Sequence, residues 1–412
     1  VFKIALLTQG SLAASALVLS VLLAWNIGIS DYGRAVKVAI VAQLIESIAL
    51  GISGEKAMNL FSRQFSLEQK IAQNQLAAAA RLDLALFSTG TIAMLAYGIM
   101  FDFDTAQWAM AFMSMAGLFA QLGYTIRKCY LLSANLNNTV MSIEWRLSLA
   151  LLPIATILAY FGGEYAIAAA SLWLALLKAT MYRVAVRVSS AEAPNTREAL
   201  SHSTSMGLIT LRQSFQQVLA NFDLVILAVL SPSHSTMGTY RLCRSIAGLP
   251  ARFISARLNF IRSTVIQAIL SRSTEKIRQE LFDSLKIVGG CTMALVAVSM
   301  CIDLYDIGGY FERPEWESRA WLVCGLISIL MANSTSLFFF NQISLFSGHQ
   351  AQIAFGYAMV VVSTAILIAI LQVVCAEGNP LVDLWIPALA MAASSLGLIW
   401  LSLVHAKQWL KF

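Results

Sequence analysis

The chain has 412 residues, 58% of them hydrophobic and only 12% charged, with a mean hydropathy of +0.72 and a formal net charge of +6. A soluble globular domain carries about a quarter charged residues, so this composition excludes one and calls for lipid as solvent. No GxxxxGK loop occurs, and no polar segment is long enough to hold an ATPase.

A run of about 20 apolar residues crosses the hydrocarbon core as a helix. Taken in order, the apolar runs predict twelve spans, over 4–28, 35–55, 77–101, 105–126, 138–160, 164–182, 206–230, 236–258, 284–302, 320–342, 350–374 and 384–406. The first run, KIALLTQGSLAASALVLSVLLAW, is long, holds polar residues and is followed by no small-residue cleavage site, so it reads as a span rather than a signal peptide. With Val1 first, the native start is expected upstream or at a non-standard codon. One polar stretch, RVSSAEAPNTREALSHSTS, has extended loop composition. It divides the chain into an N-lobe over 1–187 with spans one to six, a cytoplasmic linker over 188–205 and a C-lobe over 206–412 with spans seven to twelve. The expected fold class is therefore an all-α integral membrane protein of about twelve transmembrane helices in two six-helix lobes.

With the N-terminus inside, the cytoplasmic segments collect most of the basic residues, among them Lys56, Arg63, Lys70, Arg127, Lys128, Arg183, Arg187, Arg272, Lys276 and Lys407. The outer segments hold only Arg34, Lys37, Arg313 and Arg319. This positive-inside bias predicts a multi-pass protein with both termini cytoplasmic. Within the spans lie Arg81, Arg146, Lys178, Arg212, Arg241, Arg244, Arg252, Arg257 and Lys286, against the acids Glu46, Asp83, Glu144 and Asp223. Arg257 and Lys286 sit near the inner boundary, where long side chains snorkel to water.

The other seven cations need a purpose, because an arginine at membrane depth costs about 2.5–3.5 kcal/mol on insertion scales. Arg241, Arg244 and Arg252 fall on one stripe of span eight if that helix is continuous. GLP at 248–250 is expected to kink or loosen it. Spans nine to twelve carry almost no charge, so a cationic cavity is expected between the lobes, with Arg81, Arg146, Lys178, Arg212 and Arg252 toward the cytoplasm and Arg241 and Arg244 nearer the outside. The competing role is a set of interfacial snorkels and ion pairs with the four acids. Glu46, Glu144 and Asp223 are deep enough to take a proton or bind sodium, and a plain ion pair is the competing role for each. The six cysteines form no CxxC pair and the four histidines are scattered, so no metal site, cofactor or disulfide is expected. Neither is a nucleic-acid partner.

A weak internal repeat accompanies the two lobes: SDYG after span one answers STMGTY after span seven, and YLLSANLNNTVMSI answers NQISLFSGHQAQIAF. An even number of spans per repeat gives both copies one orientation.

Two longer segments, SDYGRAVKVAIVAQLIESIALGISGEKAMNLFSRQF and LRQSFQQVLANFDLVILAVLSPSHSTMGTYRLCRSIAGLP, carry a family resemblance. In the first, a DYG turn precedes a span with an amphipathic end. The second joins an Arg-containing span with a late Asp, through a short turn and G-x-Y, to a helix running to Gly-x-Pro. The chain thus resembles, over nearly its whole length, the lipid-linked oligosaccharide flippases (Wzx-type). These are the polysaccharide-exporter branch of the multidrug/oligosaccharidyl-lipid/polysaccharide exporter superfamily. The resemblance implies a V-shaped pair of lobes that opens alternately inward and outward. Its implied cargo is an isoprenoid-pyrophosphate-linked oligosaccharide, moved from the cytoplasmic to the outer leaflet of a bacterial inner membrane for O-antigen, capsule or exopolysaccharide assembly, with a pathway polymerase as partner. The seven cations then suit the pyrophosphate.

Two other functions compete. A cation-coupled multidrug exporter of the same fold would want an acidic cavity, and span one has no acid. A membrane glycan polymerase or glycosyltransferase would want a large outer loop. The longest here, IDLYDIGGYFERPEWESRA, is short, and its acids Asp303, Asp306, Glu312, Glu315 and Glu317 read as a solvated surface.

Overall fold

The computed structural model describes residues 2–67, 73–133, 136–189, 212, 214–230, 233–271, 273–304, 315–347, 350–375 and 380–409. Its first helices are α1 (Phe2–Ile27), α2 (Ile29–Leu67), α3 (Gln73–Met100), α4 (Thr105–Ser133), α5 (Asn137–Phe161) and α6 (Ala166–Ser189). After helical residues 214–220 come α7 (Phe222–Leu230), α8 (His234–Leu270), α9 (Thr274–Leu304), α10 (Glu315–Ser347), α11 (Gln350–Cys375) and α12 (Pro380–Trp409). Long helices are what an apolar chain must form in lipid, since each satisfies its own backbone groups. Among the described residues, seven helices are long and apolar enough to cross a membrane.

The chain divides into two compact units, residues 3–217 and 218–412. In the first, α2 packs on α4 and α4 on α6, with α5 against α6 and α3 against α2. In the second, α8 packs on α10 and α10 on α12, with α11 against α12 and α9 against α10. Each unit thus repeats one plan, in which its second, fourth and sixth helices form the core. The exposed faces remain apolar: Leu84, Ile92 and Ile99 on α3 and Phe355, Val362 and Ile366 on α11 point outward, as lipid-facing helices require.

Joints are short and locally built. Gly28, at φ +83°, makes the turn between α1 and α2, a conformation that costs glycine little. At the head of α4, the backbone N–H of Gln107 donates to Asp104 Oδ1 at 2.8 Å and that of Asp104 donates to Gln107 Oε1 at 3.1 Å, a reciprocal capping box. Ser233 caps α8 by accepting from the Thr236 N–H at 3.2 Å.

Every predicted span falls on helix as far as the described residues reach, and the all-α fold class stands. One local expectation is corrected. The DYG triplet is not a turn: it lies in the first turns of α2, with Tyr32 buried, and the turn is Gly28. α8 stays helical through GLP, from His234 to Leu270. A break comes within the seventh predicted span, at Asn221, where the backbone closes with short i to i+3 bonds (Asn221 N to Val218 O, 3.2 Å; Leu224 N to Asn221 O, 3.0 Å). Of the expected linker over 188–205, only Val188 and Ser189 are described, and they complete α6.

Candidate substrate and ion-pair sites

In the first unit a polar cluster crosses the helix interfaces. Glu144 on α5 is buried and takes three donors: Lys128 Nζ to Oε1 at 2.8 Å, the Tyr182 hydroxyl to Oε1 at 2.8 Å, and Lys178 Nζ to Oε2 at 3.3 Å. Tyr124 stacks on Tyr182 with ring centroids 5.7 Å apart, and Lys178 Nζ lies 5.3 Å over the Tyr124 ring. Glu46 on α2 receives a hydrogen bond from Gln121 of α4 and feels the charge of Lys178. Two carboxyl groups and two ammonium groups are therefore gathered on α2, α4, α5 and α6. A buried carboxylate needs such company, since an unpaired ion in a low dielectric is costly.

The second unit builds a different group at the Asn221 break. Asp223, fully buried near the start of α7, accepts from Arg244 through Nε at 2.5 Å and Nη2 at 3.3 Å, and from the Tyr240 hydroxyl at 2.9 Å. Arg244 Nη2 also reaches Asn221 Oδ1 at 3.4 Å. The Leu219 carbonyl, next to the break, accepts from Asn333 Nδ2 of α10 at 3.3 Å, and Asn333 Oδ1 accepts from Ser395 of α12 at 3.1 Å. Three helices thus hold the interrupted segment so that Asn221 and Asp223 both face Arg244.

Of the seven cations singled out in the sequence, Lys178 and Arg244 are engaged by Glu144 and Asp223, so for these two carboxylates the ion-pair role is the one formed. Arg241 and Arg252 are half-buried on α8, whose unbroken course gives them the common stripe, and Arg212 is buried at 1% exposure. Arg81 and Arg146 are exposed on α3 and α5. The two discounted residues fit their reading unevenly. Lys286 is exposed and pairs with Asp283 at 3.0 Å, while Arg257 is half-buried. Lys128, counted in the sequence as a cytoplasmic base, belongs to the cluster because α4 runs seven residues beyond its predicted end. Tyr182 is buried on Glu144. Tyr240, Asn221 and Asn333 had no signal in composition. Among the described residues no three His, Cys, Asp or Glu side chains converge as a metal site would require.

Helix plan and apolar outer faces describe a multi-helix protein suited to lipid, built as two units on one plan. No protein-family model matches the chain, and no curated protein matches it in sequence. Solved structures do match in fold. An inward-facing multidrug resistance MATE family transporter of the MOP superfamily is similar at TM-score 0.66 and 16% identity, with 97% of this chain and 96% of that chain covered. The MATE multidrug transporter DinF-BH is similar at TM-score 0.67 and 13% identity, covering 97% and 93%. A MOP superfamily transporter from Pyrococcus furiosus, described as having a binding pocket of reversed polarity that suggests a different function, is similar at TM-score 0.62 and 17% identity, covering 98% and 95%. The chain therefore has the MATE transporter fold.

Proposed function

We propose that this transporter moves an isoprenoid-pyrophosphate-linked oligosaccharide from the cytoplasmic to the outer leaflet of a bacterial inner membrane, with both termini cytoplasmic and a glycan polymerase downstream. One observation carries this reading. Residues 212–258 contain Arg212, Arg241, Arg244, Arg252 and Arg257 against a single acid, Asp223. All five arginines are buried or half-buried. Guanidinium forks match phosphate oxygens bidentately, and a pyrophosphate is the part of such a lipid most costly to bring through hydrocarbon. Arg81, Arg146 and Lys178, in the first unit, are further proposed phosphate-binding cations. The Pyrococcus furiosus neighbour, whose reversed pocket polarity suggests a different function, is a precedent for unlike functions on this fold. For ion coupling, Glu46 is the strongest of the three carboxylates, because Glu144 and Asp223 already hold cations.

The second reading is a cation-coupled multidrug exporter, which the solved neighbours favour over glycan-lipid transport because two of the three described above are multidrug transporters. Against it stand the absence of any acid on α1 and the engagement of Glu144 and Asp223 by Lys and Arg. Cell-surface glycan measured in a strain dependent on this protein separates the two. Arg212→Ala and Arg252→Ala are each expected to abolish glycan export at normal protein abundance. Full export in both variants contradicts the pyrophosphate assignment.

A further inference from the structure

We infer that Asp223 sets the charge selectivity of the anion site by neutralising Arg244, so that a pyrophosphate-linked lipid is admitted and the monoanionic phospholipids of the surrounding bilayer are refused. This rests on the pyrophosphate reading above and adds a residue to it that makes no contact with cargo.

A cavity of arginines in a membrane faces a chemical problem. Phospholipid headgroups with a single phosphodiester charge outnumber any glycan carrier and reach the same guanidinium groups. An open arginine would bind them by the same forked hydrogen bonds it offers a pyrophosphate. The geometry at the α7 break answers this at Arg244. Nε and Nη2 are committed to Asp223 and Asn221, while among the described residues Nη1 makes no hydrogen bond. The Arg244 side chain is 14% exposed and that of Asp223 is 0% exposed. An anion that reaches Arg244 therefore finds one guanidinium nitrogen uncommitted and the charge already cancelled by Asp223.

Cancellation affects the two lipids unequally. A phosphodiester brings one charge to a neutral pair and gains little attraction, whereas the linked pyrophosphate brings a second charge toward Arg241, one turn away on the same stripe of α8. Asp223 can hold this role because its position is fixed on three sides. The Tyr240 hydroxyl anchors it from α8, the short i to i+3 bonds at Asn221 aim it, and Asn333 with Ser395 secures the Leu219 carbonyl that the break leaves open. A residue serving only to neutralise a buried arginine would need no interrupted helix to present it.

The test measures binding of two lipids to the purified full-length protein in detergent micelles: a fluorescent isoprenoid-pyrophosphate-linked sugar and phosphatidylglycerol. Wild type is expected to prefer the former. Asp223→Asn keeps the size and the hydrogen-bonding shape but leaves Arg244 charged, so phosphatidylglycerol should bind at least about tenfold more tightly. The preference then shrinks accordingly. Asp223→Glu should keep the preference. In the double variant Asp223→Asn, Arg244→Gln, the gain in phosphatidylglycerol binding should disappear, which ties it to this pair and separates it from general loosening of the fold. Preference for the pyrophosphate lipid in wild type with an unchanged ratio in Asp223→Asn overturns the selectivity role alone, as does a gain that survives in the double variant. No binding of the pyrophosphate lipid by wild type overturns the proposed function and this role with it.

Discussion

Glu144 shows how a single buried carboxylate organises a helix interface in an apolar chain. It holds Lys128, Lys178 and Tyr182 from two neighbouring helices, so removing its charge leaves two ammonium groups facing each other. Glu144→Gln is expected to destabilise the first unit by about 2–3 kcal/mol, less than for a fully buried pair because Lys128 reaches solvent. A denaturant titration in detergent reads this, and an unchanged midpoint contradicts it. Asn333→Ala removes a buried amide that serves both the Leu219 carbonyl and Ser395, and should cost about 1–3 kcal/mol in the same measurement. At this scale the sequence was only partly readable. It identified Lys178, Arg244, Glu144 and Asp223 as residues that membrane depth makes expensive, because charge in an apolar run is conspicuous. Their partners Tyr182 and Tyr240, and Asn333 beside the break, were not legible, since an uncharged polar residue in a helix costs little until its neighbours are known.

Helices were the most legible elements, because roughly 20 consecutive apolar residues leave no other structure in lipid. Their ends were not, because hydropathy marks where lipid stops and the backbone ladder continues beyond it. The overrun of α4 past residue 126 is what brings Lys128 onto Glu144. Breaks were equally hidden. The proline in GLP drew attention to α8, while an interruption without proline lies at Asn221, where Asn333 of α10, itself held by Ser395 of α12, donates to the freed Leu219 carbonyl. Close helix packing offers a test of the first unit. A Cβ added at Gly90 of α3 would stand 2.6 Å from Ile45 Cγ2 of α2. Gly90→Ala should therefore lower stability by about 1–2 kcal/mol despite its better helix propensity, and Ile45→Ala in the same chain should recover much of that loss. Additive losses in a thermal-melt comparison of the two single variants and the double variant would show that α2 and α3 do not meet there.

For the whole molecule, composition and the twelve-run pattern were enough to read a polytopic helical protein in two halves. The recurrence of one packing plan in both units gives the weak sequence repeat a structural basis. Cargo is a different matter, since one transporter fold serves unlike substrates and function resides in the site. The solved neighbours include drug transporters, while the arginines of residues 212–258 argue for an anionic cargo. The decisive measurement is transbilayer movement of a fluorescent isoprenoid-pyrophosphate-linked sugar in liposomes bearing the purified protein, alongside efflux of an organic cation under a proton gradient. Wild type is expected to move the lipid, Arg212→Ala and Arg252→Ala to lose at least about tenfold in rate, and none of the three to expel the cation. Proton-driven efflux of the cation by wild type, with no movement of the lipid, would contradict the account and establish drug export in its place.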